Sequence, residues 1–498
     1  MNRIEHIIAG RERAGTAREA GPVFNPATGE QTAEVVLGNR EEVDAAVAAA
    51  EAAAGDWALT PPARRARVMF ALREVIARRR DEIAETISAE HGKTHADALG
   101  EVARALEVVE YACGIPELLK GRFSRDAAPG LDTCDERQPL GVVAGITPFN
   151  FPFMVPLWMI PMALACGNAF ILKPSERDPS AALLIHELLS EAGLPEGLFN
   201  VVQGSREVVK AILDHPGIAA VSFVGSTPVA EAVYARGCAA GKRVQALGGA
   251  KNHMIVLPDA DLDQAADALA GAGFGSAGER CMAVSVAVPV GEKTADALIE
   301  RLAPKVAAIR IGPASDAEAE MGPLITAAHR DRVAGLIETG IAEGAEAVVD
   351  GRGFSLQGYE EGFWIGPTLL DRVRPEMTVY REEIFGPVLS VVRAGDYAEA
   401  VSLVDANPYG NGTAIFTRDG DAAREFAARI KAGMVGVNVP IPVPVGHHSF
   451  GGWKLSIFGA HGIYGPEAVH FYTRLKTVTA RWPTGIRAGA EYTFPSLE

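Results

Sequence analysis

Cysteine is scarce and has no pairing pattern. The five present, Cys113, Cys134, Cys166, Cys238 and Cys281, are odd in number, and none forms a Cys-x-x-Cys pair. That argues against a disulfide framework or a structural zinc site and predicts a cytoplasmic, reducing setting. Positive charge is also short: 47 basic residues face 63 acidic ones, a net charge of −16. So acidic a body suits neither a nucleic-acid backbone nor an anionic membrane surface, and neither is expected as a partner. Long apolar runs are missing. The most apolar stretch, from Phe151 to Cys166, carries Pro152, Pro156 and Pro161 and stops short of the roughly 20 residues that span a bilayer. The first residues mix Arg3, Glu5, Arg11, Glu12, Arg13 and Glu19 and lack the apolar core of a signal peptide. Repeats and low-complexity tracts are absent. What remains is an ordinary globular mixture of 498 residues, 48% hydrophobic and 22% charged, sufficient for two or three domains.

The pattern of apolar residues predicts an α/β fold. Glu41–Ala54, Pro62–His91 and about Ala96–Lys120, which carries Arg104, have helical spacing. After them, short β-branched runs at 140–146, 169–172, 198–202 and 219–224 alternate with helical stretches, the signature of βαβ units and a parallel sheet. A second alternating series begins near Met254 and ends near Val437. Two series predict two lobes with a ligand cleft between them. Arg122–Arg137 and Val469–Trp482 belong to neither series; both read as extended segments that pair and reach toward another subunit.

Some motifs fail on context. Gly273-Phe-Gly-Ser-Ala-Gly278 matches the dinucleotide glycine pattern, but an Ala-rich helix precedes it where a strand is required. Gly92-Lys93-Thr94 lacks the earlier glycine of a phosphate loop. His447-His448 has no further ligand at metal spacing, so no metal is expected. Cys113, Cys166 and Cys238 read as buried small apolar residues, and Cys134 as exposed. Cys281 differs: it lies in a glycine-entered loop beside Arg280, a cation that favours thiolate.

Three motifs fall at successive strand ends, where open α/β sheets bind ligands. Thr147-Pro-Phe-Asn-Phe-Pro152 fixes Asn150 between prolines, suited to donating an amide hydrogen to an oxyanion. Lys173 and Glu176, in Lys173-Pro-Ser-Glu176, suit the hydroxyls of a ribose. Phe223-Val-Gly-Ser-Thr227 opens a helix fit for phosphate.

Together with Gly278-Glu-Arg-Cys281 and Glu382-Glu-Ile-Phe-Gly-Pro387, these motifs resemble the aldehyde dehydrogenase superfamily over nearly the whole chain. The resemblance implies a Rossmann-like cofactor lobe, a catalytic lobe and a small β oligomerisation element. The corresponding ranges are 1–121 with 140–250, 251–445, and 122–139 with 466–485. It implies Cys281 as nucleophile and Asn150 in the oxyanion hole. It assigns NAD binding to Thr147, Phe149, Lys173, Glu176, Arg177, Gly225, Ser226, Gly248, Glu383 and Phe385. Hydrolytic members carry a general-base Glu where Leu247 stands here, in Leu247-Gly-Gly-Ala-Lys251. That departure, with Lys251-Asn-His253, Glu279-Arg-Cys-Met282 and Asn438-Val-Pro-Ile-Pro-Val-Pro444, resembles the acylating subgroup that uses coenzyme A on methylmalonate and malonate semialdehydes. By the same likeness, Arg104 and Arg280 hold the substrate carboxylate and the enzyme is a homotetramer, a dimer of dimers. The alternatives are a hydrolytic aldehyde dehydrogenase with another base and a binding protein without turnover. Ser456-Ile457-Phe458 departs from the Ser-Gly-Phe expected after Gly-Gly-Trp-Lys454.

Overall fold

A computed structural model describes residues 2–16 and 19–482. Among these, two mainly parallel sheets organise the chain. In the first, the spatial order is Ile457–Phe458, Arg243–Leu247, Ile218–Val224, Val142–Ile146, Ala169–Lys173, Phe199–Val201, His6–Ile8 and Arg11–Arg13. The five strands from Arg243–Leu247 to Phe199–Val201 run parallel. Val142–Ile146 and Ala169–Lys173 are buried along their whole length, which explains their continuous apolar character: a parallel strand is covered on both faces. The helix Met154–Ala165 is buried on every side as well. Polar side chains also enter this interior: Gln245 Nε2 donates to Ser222 Oγ at 2.8 Å between paired strands, while Gln245 Oε1 has no hydrogen-bond partner among the described residues.

The parallel part of this sheet starts at Val142–Ile146, builds outward to one side, then crosses to Ile218–Val224 on the other. The resulting switch point leaves a crevice beyond Ile146 and Val224. The second sheet has the order Glu346–Val349, Thr368–Asp371, Val388–Val391, Val284–Pro289, Asn252–Val256, Gly412–Phe416 and Met434–Val437. Each sheet anchors its own hydrophobic core. Four residues, 248–251, separate the last parallel strand of the first sheet from the opening strand of the second.

Several elements differ from the sequence reading. The N-terminal segment carries strands: Asn2–Ile4, Ala20–Phe24 and Gln31–Val36 form a small sheet, and His6–Ile8 extends the large one. These strands are short and mixed in polarity, so no period of two stands out. The helical run 62–91 divides at Arg79, whose backbone leaves helical geometry (φ −99°, ψ 17°). Its guanidinium pairs with Glu82, Glu187 and Glu191. Residues 466–472 form a helix, Pro466–Tyr472, because Phe471 and Tyr472 pack inward from it. The extended segment begins only at Thr473 and runs to Arg481. It pairs antiparallel along all of Leu131–Pro139, so the two segments do meet. Residues 483–485 lie outside the described residues. Cys113 and Cys166 are buried, but Cys238 is exposed, on the outer face of the helix Thr227–Ala239, and Cys134 is half-buried. Among the described residues no helix is long and apolar enough to cross a membrane.

Candidate active site

The carboxyl ends of the first sheet face the amino ends of the second. Cys281, Asn252 and Asn411 each stand at or just before a strand of the second sheet. Asn252 Nδ2 donates to the Cys281 carbonyl at 2.9 Å, and Asn411 Nδ2 donates to the same oxygen at 3.1 Å. These amides hold the loop that carries the thiol. The loop enters through a tight turn, Gly275–Gly278, in which Ser276 and Ala277 have positive φ. Gly278 (φ +71°) passes so close to Gly386 that a Cβ would lie 2.1 Å from its carbonyl oxygen. The helix Leu262–Phe274 runs directly into this turn, so Gly273–Gly278 is part of the nucleophile loop and follows no strand.

Two cavities meet at Cys281. One, of about 370 Å³, is lined by Pro148, Phe149, Asn150, Val224, Gly225, Ser226, Gly248, Gly249, His329, Arg332, Glu383 and Phe385 as well as Cys281. The other, of about 390 Å³, is lined by Asp97, Glu101, Arg104, Phe151, Met154, Trp158, Arg280, Met282, Ile441, Val443 and Phe450 among others. The sulfur therefore stands between a glycine-floored chamber and a second one that holds two arginines.

In the first chamber, Gly225 N donates to the Leu247 carbonyl at 3.1 Å and Gly249 N to Thr227 Oγ1 at 2.8 Å, locking two motifs together. A Cβ on Gly249 would come within 2.2 Å of Glu383 Oε2. Glu383 Oε1 accepts from Ala250 N at 2.9 Å. Burial pushes the Glu383 carboxyl up to about 7, against the pull of that N–H and of Lys251. Lys173 and Glu176 are 2.9 Å apart. Burial works to raise Glu176, but Lys173 and, more weakly, Arg177 hold it below the usual carboxylate value. Arg177 itself stacks over the Phe149 ring, 5.1 Å from its centroid. Phe149 also packs edge-on against Phe385. The Thr147 hydroxyl is buried with no hydrogen-bond partner.

Leu247 is buried at the end of its strand. Ile457 pairs with it across the sheet edge, and Ser456 Oγ donates to the Gly249 carbonyl at 2.8 Å. The unexpected Ser456-Ile457-Phe458 thus forms an edge strand that covers the Leu247–Gly249 turn. On the other side of Cys281, Asn150 Nδ2 donates to the Glu279 carbonyl at 3.0 Å. An amide has two N–H groups, so anchoring one leaves a second for a reacting oxygen.

The effect of Arg280 on Cys281 has the expected direction but is weak. Arg280 is bound by Asp97, which spends most of its charge. Burial pushes the Cys281 thiol up to about 12, Glu383 adds to the rise, and Arg280 opposes it only weakly. Arg104 does fold over the cleft. Its Nη1 donates to both Glu107 oxygens at 2.9 and 3.0 Å, and its Nη2 to Pro444 O at 2.9 Å. Sequence reasoning missed Asp97, Glu101, Lys93, Asn252 and Asn411. Asp97, Glu101 and Arg104 follow i, i+4, i+7 spacing on one helix, a polar stripe that could have flagged the first two. Among the described residues one group, His461, Glu467 and His470, has metal-ligand chemistry, and none of the three lines either cavity.

The aldehyde dehydrogenase family model matches residues 13–478. A malonate-semialdehyde dehydrogenase of Pseudomonas aeruginosa is 56% identical over 498 residues, covering 100% of both chains. A Sinorhizobium meliloti 1021 protein named for methylmalonate-semialdehyde dehydrogenase, solved complexed with NAD, superposes with a TM-score of 0.97 at 57% identity, covering 98% of this chain and 99% of that one. A methylmalonate-semialdehyde dehydrogenase of Oceanimonas doudoroffii gives a TM-score of 0.96 at 55% identity, covering 98% and 100%.

Proposed function

The chain belongs to the aldehyde dehydrogenase family, and we propose that it oxidises malonate or methylmalonate semialdehyde with NAD and passes the acyl group to coenzyme A. What carries this reading is the position of Cys281 on both cavities at once. The glycine-floored chamber fits NAD. Its glycine floor leaves no room for side chains beside Glu383, and Thr147 offers a buried hydroxyl in want of a partner. Lys173 and Glu176 would hold the adenosine ribose, Gly225, Ser226 and Gly248 the pyrophosphate side, and Glu383 with Phe385 the nicotinamide end. Bound there, NAD supplies the hydride acceptor.

The protein's own part begins at sulfur. Cys281, whose thiol is held well above neutral, gives its proton to water in the cleft and attacks the aldehyde carbon as thiolate, the carbonyl π electrons moving onto oxygen. The hemithioacetal oxygen is met by the Asn150 amide and the Cys281 N–H, donors already fixed in place. Oxidation leaves a thioester on Cys281. Arg104 and Arg280 would hold the substrate carboxylate in the second chamber. Leu247 cannot activate water, so the thioester waits for the thiol of coenzyme A. With a 3-oxo acid, the β-carboxylate leaves as carbon dioxide and the product is acetyl-CoA or propanoyl-CoA. The hydrolytic alternative would need another base, and Glu383, on the same cavity as Cys281, is the candidate.

The lobes bounded at 250 and 251 would serve cofactor and catalysis respectively. The sheet of Phe123–Ala128, Leu131–Pro139 and Thr473–Arg481 exposes Phe123, Leu475 and Trp482, which would pack against further copies in an oligomer. The direct test of the reading is Cys281→Ala. Turnover should vanish because covalent catalysis needs the sulfur, while NAD still binds by fluorescence titration; full activity would refute the mechanism.

A further inference from the structure

Gly92-Lys93-Thr94 lacks the glycine pattern of a phosphate loop, yet Lys93 is 1% exposed and Glu101 2%. A buried ion pair is a poor source of stability, because desolvation offsets the Coulomb attraction. The contacts of this pair indicate another use. Lys93 Nζ donates to Glu101 Oε2 at 2.7 Å and to the backbone carbonyl of Asn150 at 2.6 Å. It also lies 4.2 Å from the centroid of the Phe151 ring. Glu101 Oε1 accepts from the N–H groups of Phe153 and Met154 at 2.9 and 3.0 Å. Those groups open the helix Met154–Ala165, which has no side-chain cap of its own. Every strong hydrogen bond the pair makes outside itself therefore falls on residues 150–154.

We propose that Lys93 and Glu101 are positioning residues for the oxyanion site, holding the main chain on both sides of Pro152 so that the Asn150 amide points at the reacting oxygen. This rests on the reading of Cys281 and Asn150 given above. Lys93 fixes the carbonyl of Asn150, and Glu101 fixes the helix start three residues later. The side-chain amide has a single anchor of its own, the Glu279 carbonyl. Without the pair, the amide would keep that one tether and lose the backbone frame that aims its second N–H. An oxyanion donor acts in the transition state more than in substrate binding, so a misplaced one lowers kcat more than it raises KM.

The test is pre-steady-state NADH formation in the full-length enzyme with saturating NAD and semialdehyde. The variants are Lys93→Met, the charge-free double variant Lys93→Met/Glu101→Gln, and each of these in an Asn150→Ala background. The double variant leaves no unpaired buried charge, and its Gln still accepts from the two helix N–H groups, so it keeps the test open if Lys93→Met alone fails to fold. The acylation burst should slow about 10- to 100-fold, a fraction of the roughly 100- to 1000-fold cost of deleting an oxyanion donor. KM for the aldehyde should move less than about threefold. In the Asn150→Ala background the same changes should cost almost nothing more, because both act through one group. A merely structural role would instead add its loss in both backgrounds, and that result, or a folded variant with a native burst, overturns the proposal. If Asn150→Ala alone keeps the full burst rate, the oxyanion reading itself fails, an outcome separate from failure at Lys93.

Discussion

Replacing Arg104 with leucine tests how the substrate carboxylate is recognised. Arg104 reaches the cavity rim from the helix His95–Cys113, with its side chain 34% exposed. Its guanidinium already serves Glu107 and the carbonyls of Val443 and Pro444. A substrate carboxylate must share it with Glu107. Hydrogen bonds to charged groups contribute about 1.5–3 kcal/mol, and partial exposure favours the lower part of that range. Taking about 1.5–2 kcal/mol, the expected loss in kcat/KM for malonate semialdehyde is roughly 10- to 30-fold at 1.4 kcal/mol per tenfold. The substitution also frees the segment around Pro444, which harms every substrate alike. The informative quantity is therefore the ratio of efficiencies for malonate semialdehyde and propanal, measured by NADH formation with coenzyme A present. That ratio should fall roughly 10- to 30-fold. An equal loss on both aldehydes would show that Arg104 supports the loop and that carboxylate recognition lies elsewhere.

Two further outcomes follow from the electrostatics. Glu383 bears on Cys281 as a like charge, and its own carboxyl titrates near 7, so Glu383→Gln should lower the thiol pKa. Iodoacetamide should alkylate Cys281 faster in this variant than in the wild type at pH 8, with the difference fading below about pH 6, where the wild-type carboxyl is neutral like the glutamine; equal rates at pH 8 would mean that the carboxylate does not reach the sulfur. Glu176 is held ionised beside Lys173 and would repel a 2′-phosphate, so Glu176→Ala should shift the NADP-to-NAD efficiency ratio upward about tenfold, and an unchanged ratio would remove Glu176 from cofactor choice.

Motifs that sit on one local segment were legible as positions on the fold. Asn150 between two prolines, Gly225-Ser226 at a strand end and Leu247 in place of a base each need only a local segment and its position on a strand. The paired segments Leu131–Pro139 and Thr473–Arg481 were also readable, since neither could stand alone. What escaped were pairings across sequence. Arg280 beside Cys281 suggests a thiolate until Asp97, 183 residues away, binds the guanidinium. Lys93 looks like a stray loop lysine until Asn150 and Glu101 enclose it. Cys238 reads as buried in an Ala-rich helix, and only the packing direction of that helix turns it outward. The three-residue strand His6–Ile8 owes its place to the sheet edge it joins, Val201 pairing with Ile7.

The central claim is that a thioester forms on Cys281 and, for want of a base at Leu247, persists until coenzyme A takes it. It is tested most directly by mixing enzyme with NAD and semialdehyde in the absence of coenzyme A, following NADH and the intact protein mass together. The account predicts a burst of about one NADH per active site, an acyl adduct that maps to Cys281, and release of acyl-CoA when coenzyme A is added. Fast, continuous NADH production without coenzyme A, with no adduct on Cys281 and free acid as the product, would contradict it.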